Sequence, residues 1–289
     1  MDEGRLVEVA LDAARAAAEV HRRQLGRVGT DAWQTKATAD FVTDVDREAE
    51  AAILARVRDA FPDHAVLAEE SADDGERPDL AGADWVWIID PLDGTTNWLH
   101  AYPMYAASIA VARRGQLVAG VVVNGATGQA WTAARGAGAY LDGAPTRVSA
   151  RAALPQALIG TGFPFRTPHE IPAYLHQLGR VMAATAGVRR AGAAALDLCH
   201  VASGWLDGFW ELSLAPWDIA AGTLIIREAA GVVTRLDGSP DMLGAGSVLA
   251  GNPGLHPRLG QLVAEGTSSA PGHTTGSMTA EHSGGESPT

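Results

Sequence analysis

Leu6, Val9, Ala10, Ala13, Ala17 and Val20 recur at steps of three and four, the spacing of one helical face, and predict an amphipathic helix over residues 5–25. A second helix is predicted over 46–60, with Ile53, Val57 and Phe61 on one stripe, Thr43 or Asp44 as cap and Phe61-Pro62 as stop. The period then shortens. Residues 64–70 and 85–90 are short, rich in Val, Ile or Trp, and fenced by polar loops, which predicts strands. Residues 105–113, 117–125 and 129–135 read as a meander, followed by an Asp142-Gly143 turn. Helices are expected again at 172–186, 193–203 and 218–230, with strands at 205–212, 232–236 and 247–251. Helices, then strands, then mixed elements predict α+β layers rather than a regular alternation of strand and helix.

Residues 266–289 are mostly Gly, Ser, Thr, Pro and Ala, without Val, Ile, Leu or an aromatic ring. Such a segment cannot offset its ordering entropy by burial, so a folded unit over 1–265 and a disordered tail over 266–289 are expected. The 289 residues are 47% hydrophobic, enough for a sizeable core. Their net charge of -12 repels polyanions and argues against direct nucleic-acid binding. A phosphorylated substrate stays possible, because a bound divalent cation inverts the local potential. Cys199 is the single cysteine, which removes intrachain disulfides and cysteine-rich metal sites; it reads as a small buried hydrophobe. The acidic start lacks the layout of a signal peptide, and no apolar run approaches the ~18 residues of a membrane span. A soluble, cytoplasmic protein without membrane contact is expected.

The densest chemical signal is Trp87-Ile88-Ile89-Asp90-Pro91-Leu92-Asp93-Gly94-Thr95-Thr96-Asn97. An apolar strand runs into two carboxylates three residues apart, and Pro91 is expected to stop the ladder so that they converge at the strand end. The Leu92 carbonyl between them is a third hard oxygen, a donor set suited to Mg²⁺. Gly94, Thr95 and Thr96 resemble a helix start, whose free amides favour an anion. On its own, D-x-x-D-G also describes an ordinary Asx-type turn.

Other acidic positions carry two readings each. Glu69-Glu70 is a solvated strand end or a ligand pair, and Asp218 a charge near a helix N-terminus or a ligand. Glu211 lies among apolar neighbours and needs a partner if buried. Arg189-Arg190 reads as a solvated edge pair, a dimer contact or a contact to substrate phosphate. The eight tryptophans read as core or interface anchors.

Together these residues resemble the inositol monophosphatase family, of the lithium-sensitive, magnesium-dependent phosphatase superfamily, over residues 5–264. The markers stand in family order: Lys36 with Asp40–Asp46, Glu69-Glu70-Ser71, Asp90–Asn97, Gly192–Asp197 and Trp217–Gly222. The resemblance implies a layered αβαβα sandwich of the inositol monophosphatase and fructose-1,6-bisphosphatase type and a homodimer. It implies two or three Mg²⁺: Glu69, Asp90 and the Leu92 carbonyl for the first, Asp90, Asp93 and Asp218 for the second, and a weaker third near Glu69, with Glu70 supporting. Gly94 and Thr95 would hold the phosphate. Glu69 and Thr95 would activate the attacking water, with Asp46 bonded to Thr95, and Asp218 would help protonate the leaving group. Gly192, Ala193, Ala194 and Glu211 would read the polyol, alongside Asp93 and Asp218. Many relatives carry Ser or Thr where this chain has Ala193.

The resemblance implies hydrolysis of a small polyol monophosphate, with myo-inositol 1-phosphate first. Alternatives are a histidinol-phosphate or broader sugar phosphatase and, in a different class, a protein partner within a transcription complex.

Overall fold

The first apolar stripe forms α1 (Glu3–Gln24), and its small residues Ala10, Ala13, Ala14, Ala17 and Ala18 are fully buried. In the computed structural model the described residues are 3–27, 34–37, 40–42, 44–71 and 77–264. A short antiparallel pair, β1 (Gln34–Ala37) and β2 (Asp40–Val42), leads into α2 (Asp44–Ala60), which starts on Asp44 and Asp46 and stops before Phe61-Pro62.

The large sheet follows: β3 (Ala65–Ala68), β4 (Val86–Asp93), then, after the short helix α3 (Thr95–Leu99), β5 (Ala106–Arg113), β6 (Gln116–Asn124), β7 (Ala130–Ala134), β8 (Gly138–Leu141) and β9 (Ala144–Pro145). These seven strands pair in chain order, with β3 and β4 parallel and the rest antiparallel. Asp142 and Gly143 both take positive φ, 50° and 80°, the pair a two-residue hairpin requires. The sequence marked that turn but not β8 and β9 around it.

The second half adds β10 (Leu158–Thr161), α4 (Ile171–Ala184), β11 (Gly187–Arg189), α5 (Ala194–Ala202), β12 (Gly208–Leu214), α6 (Pro216–Glu228), β13 (Val232–Thr234), β14 (Gly246–Gly251) and α7 (His256–Ala264). Its five strands run in the order β11-β10-β12-β14-β13. Of these elements β10, β11 and α7 were not expected.

Three apolar clusters define the layers. Leu6, Ala10, Ile53 and Val57 of α1 and α2 meet Trp87, Ile89, Ile109 and Val121 on one face of the large sheet. Leu198, Ile219 and Ile225 of α5 and α6 fill the space between the sheets with Ile88, Val122, Phe209 and Val248. Tyr174, Val181, Leu259 and Val263 of α4 and α7 close the far face against Ile159, Trp210 and Leu249. The result is the expected αβαβα sandwich. Covered on both faces, β5 is buried at seven successive positions, so it shows no polar alternation. Its neighbour β6 approaches α6 so closely that a Cβ at Gly120 would lie 3.0 Å from the Ala221 carbonyl.

One expectation needs correcting. Pro91 does not stop the ladder: β4 runs on to Asp93, and the pairing with β5 slips by one residue between Asp90 and Asp93. Proline, lacking an amide proton, is accommodated at this bulge. The expected tail at 266–289, and with it the division at 265, lies outside the described residues.

Candidate metal and phosphate site

The bulge brings the chemistry together. Asp90 Oδ1 accepts the Leu92 amide at 2.9 Å, an Asx-type bond that turns the chain between the two aspartates. The parallel pairing of β3 with β4 continues into a Glu69 amide bond to the Ile89 carbonyl at 3.1 Å, which sets Glu69 beside Asp90. Asp93 is held from the second half of the chain: its Oδ2 accepts the Ala195 amide at 2.8 Å, in the first turn of α5. Asp218 lies in the first turn of α6, where its Oδ2 accepts the Ala215 amide at 2.7 Å. It is therefore both the ordinary helix-start charge and a pocket residue.

One cavity of about 380 Å³ is lined by Glu69, Asp90, Leu92, Asp93, Gly94, Thr95, Gly192, Ala193, Ala194, Glu211 and Asp218. Every residue expected to bind metal or substrate thus reaches the same pocket. Asp46, the remaining expected site residue, sits behind it: Thr95 Oγ1 lies 3.1 Å from both the Asp46 carboxylate and the Leu92 carbonyl, so one hydroxyl proton serves two acceptors. The Glu70 amide donates to the buried Glu50 of α2 at 2.9 Å.

Two residues, Asn97 and Asp197, went without a role in the sequence, and two more, Glu211 and Arg190, make contacts it did not display. Asn97 Nδ2 donates to the carbonyls of Met104 (2.6 Å), Ala191 (2.9 Å) and Gly192 (3.2 Å), lashing the loop before α5 to the loop after β4. Asp197 is buried against the pocket, and its Oδ1 has no hydrogen-bond partner among the described residues. Glu211 lies so close over Gly162 that a Cβ there would overlap its carboxyl. At the pocket mouth the Arg190 guanidinium stands 5.0 Å over Phe163 and 5.2 Å over Phe165, so it faces the site rather than an edge of the fold. The Asn ending the DPLDGTTN string, the Arg189-Arg190 pair and the apolar neighbours of Glu211 were the signals the sequence offered.

The electrostatics are those of crowded acids. Burial, and then Glu69, Asp93 and Asp218, push the Asp90 carboxyl well up; the Leu92 amide opposes them. Burial and Asp218 raise Asp93 to about 7 against the pull of the Ala195 and Ala194 amides and Arg166. Burial and Asp93 raise Asp197, and burial with Asp218 and Asp197 raises Glu211, with Arg190 opposing both. Among the described residues no three such groups form a ready-made metal cluster, so they share a field rather than a preformed coordination shell. Hard oxygens that repel one another across a cavity fit Mg²⁺, which relieves the repulsion.

A pH dependence follows. Carboxyls raised above their unfolded values stabilise the cation-free fold when protonated, and that contribution is lost as pH rises through the folded value, about 7 for Asp93. Buried His21 and His200, each lowered to about 4, act oppositely. Their effect grows below their unfolded value of 6.5 and fades as pH rises past it, and the several raised carboxyls outweigh it. The cation-free protein is expected to melt higher at pH 6.5 than at pH 8, and Mg²⁺ to reduce the difference. Equal cation-free melting temperatures at the two pH values would refute the shared field.

Known proteins can now be set beside this geometry. The model of the inositol monophosphatase family matches residues 2–268. The chain is 45% identical over 252 residues to a Pseudomonas aeruginosa protein called Nus factor SuhB, covering 86% of this chain and 91% of that one. It is also 45% identical over 253 residues to a Mesorhizobium japonicum inositol-1-monophosphatase, covering 87% and 93%. The extragenic suppressor protein suhB of Bartonella henselae superposes with a TM-score of 0.84 at 40% identity, covering 91% of this chain and 99% of that one.

Proposed function

Since the chain belongs to the inositol monophosphatase family, and is on that ground a Mg²⁺-dependent phosphatase, we propose that it hydrolyses a small polyol monophosphate, myo-inositol 1-phosphate first, as a cytoplasmic homodimer. The observation that carries this reading is the shared pocket. Glu69, Asp90, Asp93, Asp218, Glu211 and the Gly192–Ala194 segment all line it.

Two or three Mg²⁺ are proposed: one held by Glu69, Asp90 and the Leu92 carbonyl, one by Asp90, Asp93 and Asp218, and a weaker third near Glu69. Bound Mg²⁺ supplies charge neutralisation for the phosphoryl oxygens and acidifies water. The chain's own residues do the rest. Gly94 and Thr95 orient the phosphate through their amides. Glu69 accepts the proton of the attacking water, and the Thr95 hydroxyl, with Asp46 as acceptor, fixes its line of approach to phosphorus. Asp218 holds the water that returns a proton to the departing alkoxide. Glu211 accepts hydrogen bonds from ring hydroxyls, while Ala193 offers only its backbone there. Holding the groups in line and cancelling charge is most of what phosphoryl transfer requires.

Phosphate release is to be measured with and without Mg²⁺ on inositol 1-phosphate, histidinol phosphate, fructose 1,6-bisphosphate and 3′-phosphoadenosine 5′-phosphate. Preference for the inositol ester is expected. Preference for histidinol phosphate would make the chain a histidinol phosphatase instead. Glu211→Gln should weaken use of the inositol ester by about 1–3 kcal/mol, the cost of a lost charged hydrogen bond, and spare histidinol phosphate. Equal loss on both substrates would remove Glu211 as the ring reader.

The Pseudomonas relative's name favours a second reading, a protein partner within a transcription complex. With a net charge of -12, contact would be with protein rather than RNA. Co-purification with RNA polymerase supports that role; normal turnover with no such partner counts against it.

A further inference from the structure

The bulge that aims the acids has a support outside the pocket. At the C-terminal end of α1, His21 is fully buried, and its Nε2 lies 2.8 Å from the Pro91 carbonyl, midway between Asp90 and Leu92. Because the partner is a carbonyl, Nε2 must carry the proton. Burial lowers the His21 pKa to about 4, so the ring is neutral at ordinary pH. The backbone of the same residue makes a second tie: its carbonyl accepts Trp98 Nε1 at 3.1 Å, also buried. That carbonyl belongs to the last turn of α1.

Between the two anchors lie residues 92–97, among them Leu92, Asp93, Gly94 and Thr95. The Leu92 carbonyl, next along the chain from the anchored Pro91 carbonyl, is met by Thr95 Oγ1 at 3.1 Å. Tyr105 and Gly125 hold the imidazole in place: a Cβ at Gly125 would lie 2.5 Å from the tyrosine ring and 2.8 Å from His21 Nδ1.

We propose that His21 is a positioning residue for the cation and phosphate loop, its side chain and its backbone carbonyl fixing the two ends of segment 91–98 and thereby the direction of the Leu92 carbonyl and the Thr95 hydroxyl. The proposal rests on the reading of residues 90–95 as a Mg²⁺ site.

Three variants test it. His21→Leu removes the donor at similar size, His21→Gln restores one at about the reach of Nε2, and Trp98→Phe removes the second tie while keeping an aromatic ring. Mg²⁺ binding is read by calorimetry and amide exchange across residues 92–98 by mass spectrometry, both without substrate, and KM is read separately. His21→Leu should bind Mg²⁺ about tenfold more weakly, the usual scale for a support behind a ligand, with KM little changed and faster exchange confined to 92–98. His21→Gln should recover most of the affinity, and Trp98→Phe should show a smaller loss in the same direction. Parent-like affinity and exchange in His21→Leu would overturn the proposal, as would a loss that Gln does not relieve. If His21→Leu does not fold, Trp98→Phe decides on the same two readouts. If the parent itself binds no Mg²⁺, the metal reading falls, while localised exchange in His21→Leu would still establish the clamp.

Discussion

Asp93→Asn is expected to lose turnover on the order of a thousandfold while making the cation-free protein more stable at pH 8. The two effects have one cause. Asp93 is buried, faces Asp218, and titrates near 7, so at pH 8 its charge is held against repulsion. Asparagine can still accept the Ala195 amide, so the backbone tie between the two halves survives. What disappears is a charge that the folded chain tolerates poorly and a cation would use. In a chain of this size each kcal/mol of relieved repulsion raises the melting temperature by about 2–4 °C. Steady-state kinetics in Mg²⁺ and thermal melts in EDTA, parent and variant side by side, test both halves. Parent-like turnover would refute the metal assignment. A lower cation-free melting temperature would refute the account of the acid cluster.

Gly94→Ala is expected to cost turnover about a hundredfold through displacement of the loop alone, the effect of moving reacting groups by roughly an ångström. Gly94 sits at φ 86°, and an added Cβ would come within 2.8 Å of the Met104 carbonyl and 3.2 Å of the Ala193 Cβ. Neither obstacle is the free end of a flexible side chain, so the loop itself must move. A residue forced into that region also loses about 1–3 kcal/mol of stability. Gly128→Ala is the matched control: its φ is 78°, but nothing lies within 4 Å of the new methyl. It should lose stability and keep its kinetics. Weaker inhibition by inorganic phosphate in Gly94→Ala, and unchanged inhibition in Gly128→Ala, would locate the damage in the anion cradle; unchanged inhibition in Gly94→Ala would remove Gly94 from it.

The site was more legible in the sequence than the fold around it. Asp90, Asp93, Gly94 and Thr95 are contiguous, and their chemistry depends on order along the chain, which a sequence displays directly. Long elements with an apolar stripe, such as α1 and α2, were legible too, because burial on one face leaves a period. β10 and β11 were not: four and three residues are too few to establish an alternation, and they exist because β12 offers β10 a parallel neighbour. The continuation of β4 past Pro91 was missed because proline's local preference opposes a ladder, and a bulge resolves the conflict only once β5 is in place. Asp197 and Asn97 were in view but without a role. Their meaning lies in contacts made across the chain, Asn97 to residues 94 and 95 positions away and Asp197 to a pocket whose other walls come from four different segments. For Arg190 the sequence left an edge pair, a dimer contact and a substrate contact open, and contacts far along the chain, to Phe163 and Phe165, place it at the pocket.

The position of Glu211 in the smaller sheet has a consequence for synthesis. β12 pairs on one side with β10, already translated, and on the other with β14, whose last residue is Gly251. A ribosome that has released Asp46 through Asp93 has therefore exported most of the acids but none of the wall that carries Glu211. A nascent or prematurely terminated chain offers carboxylates without a bounded pocket; with Glu211 as the proposed ring reader, selectivity would arrive only when the strand completed by Gly251 docks, near the end of elongation.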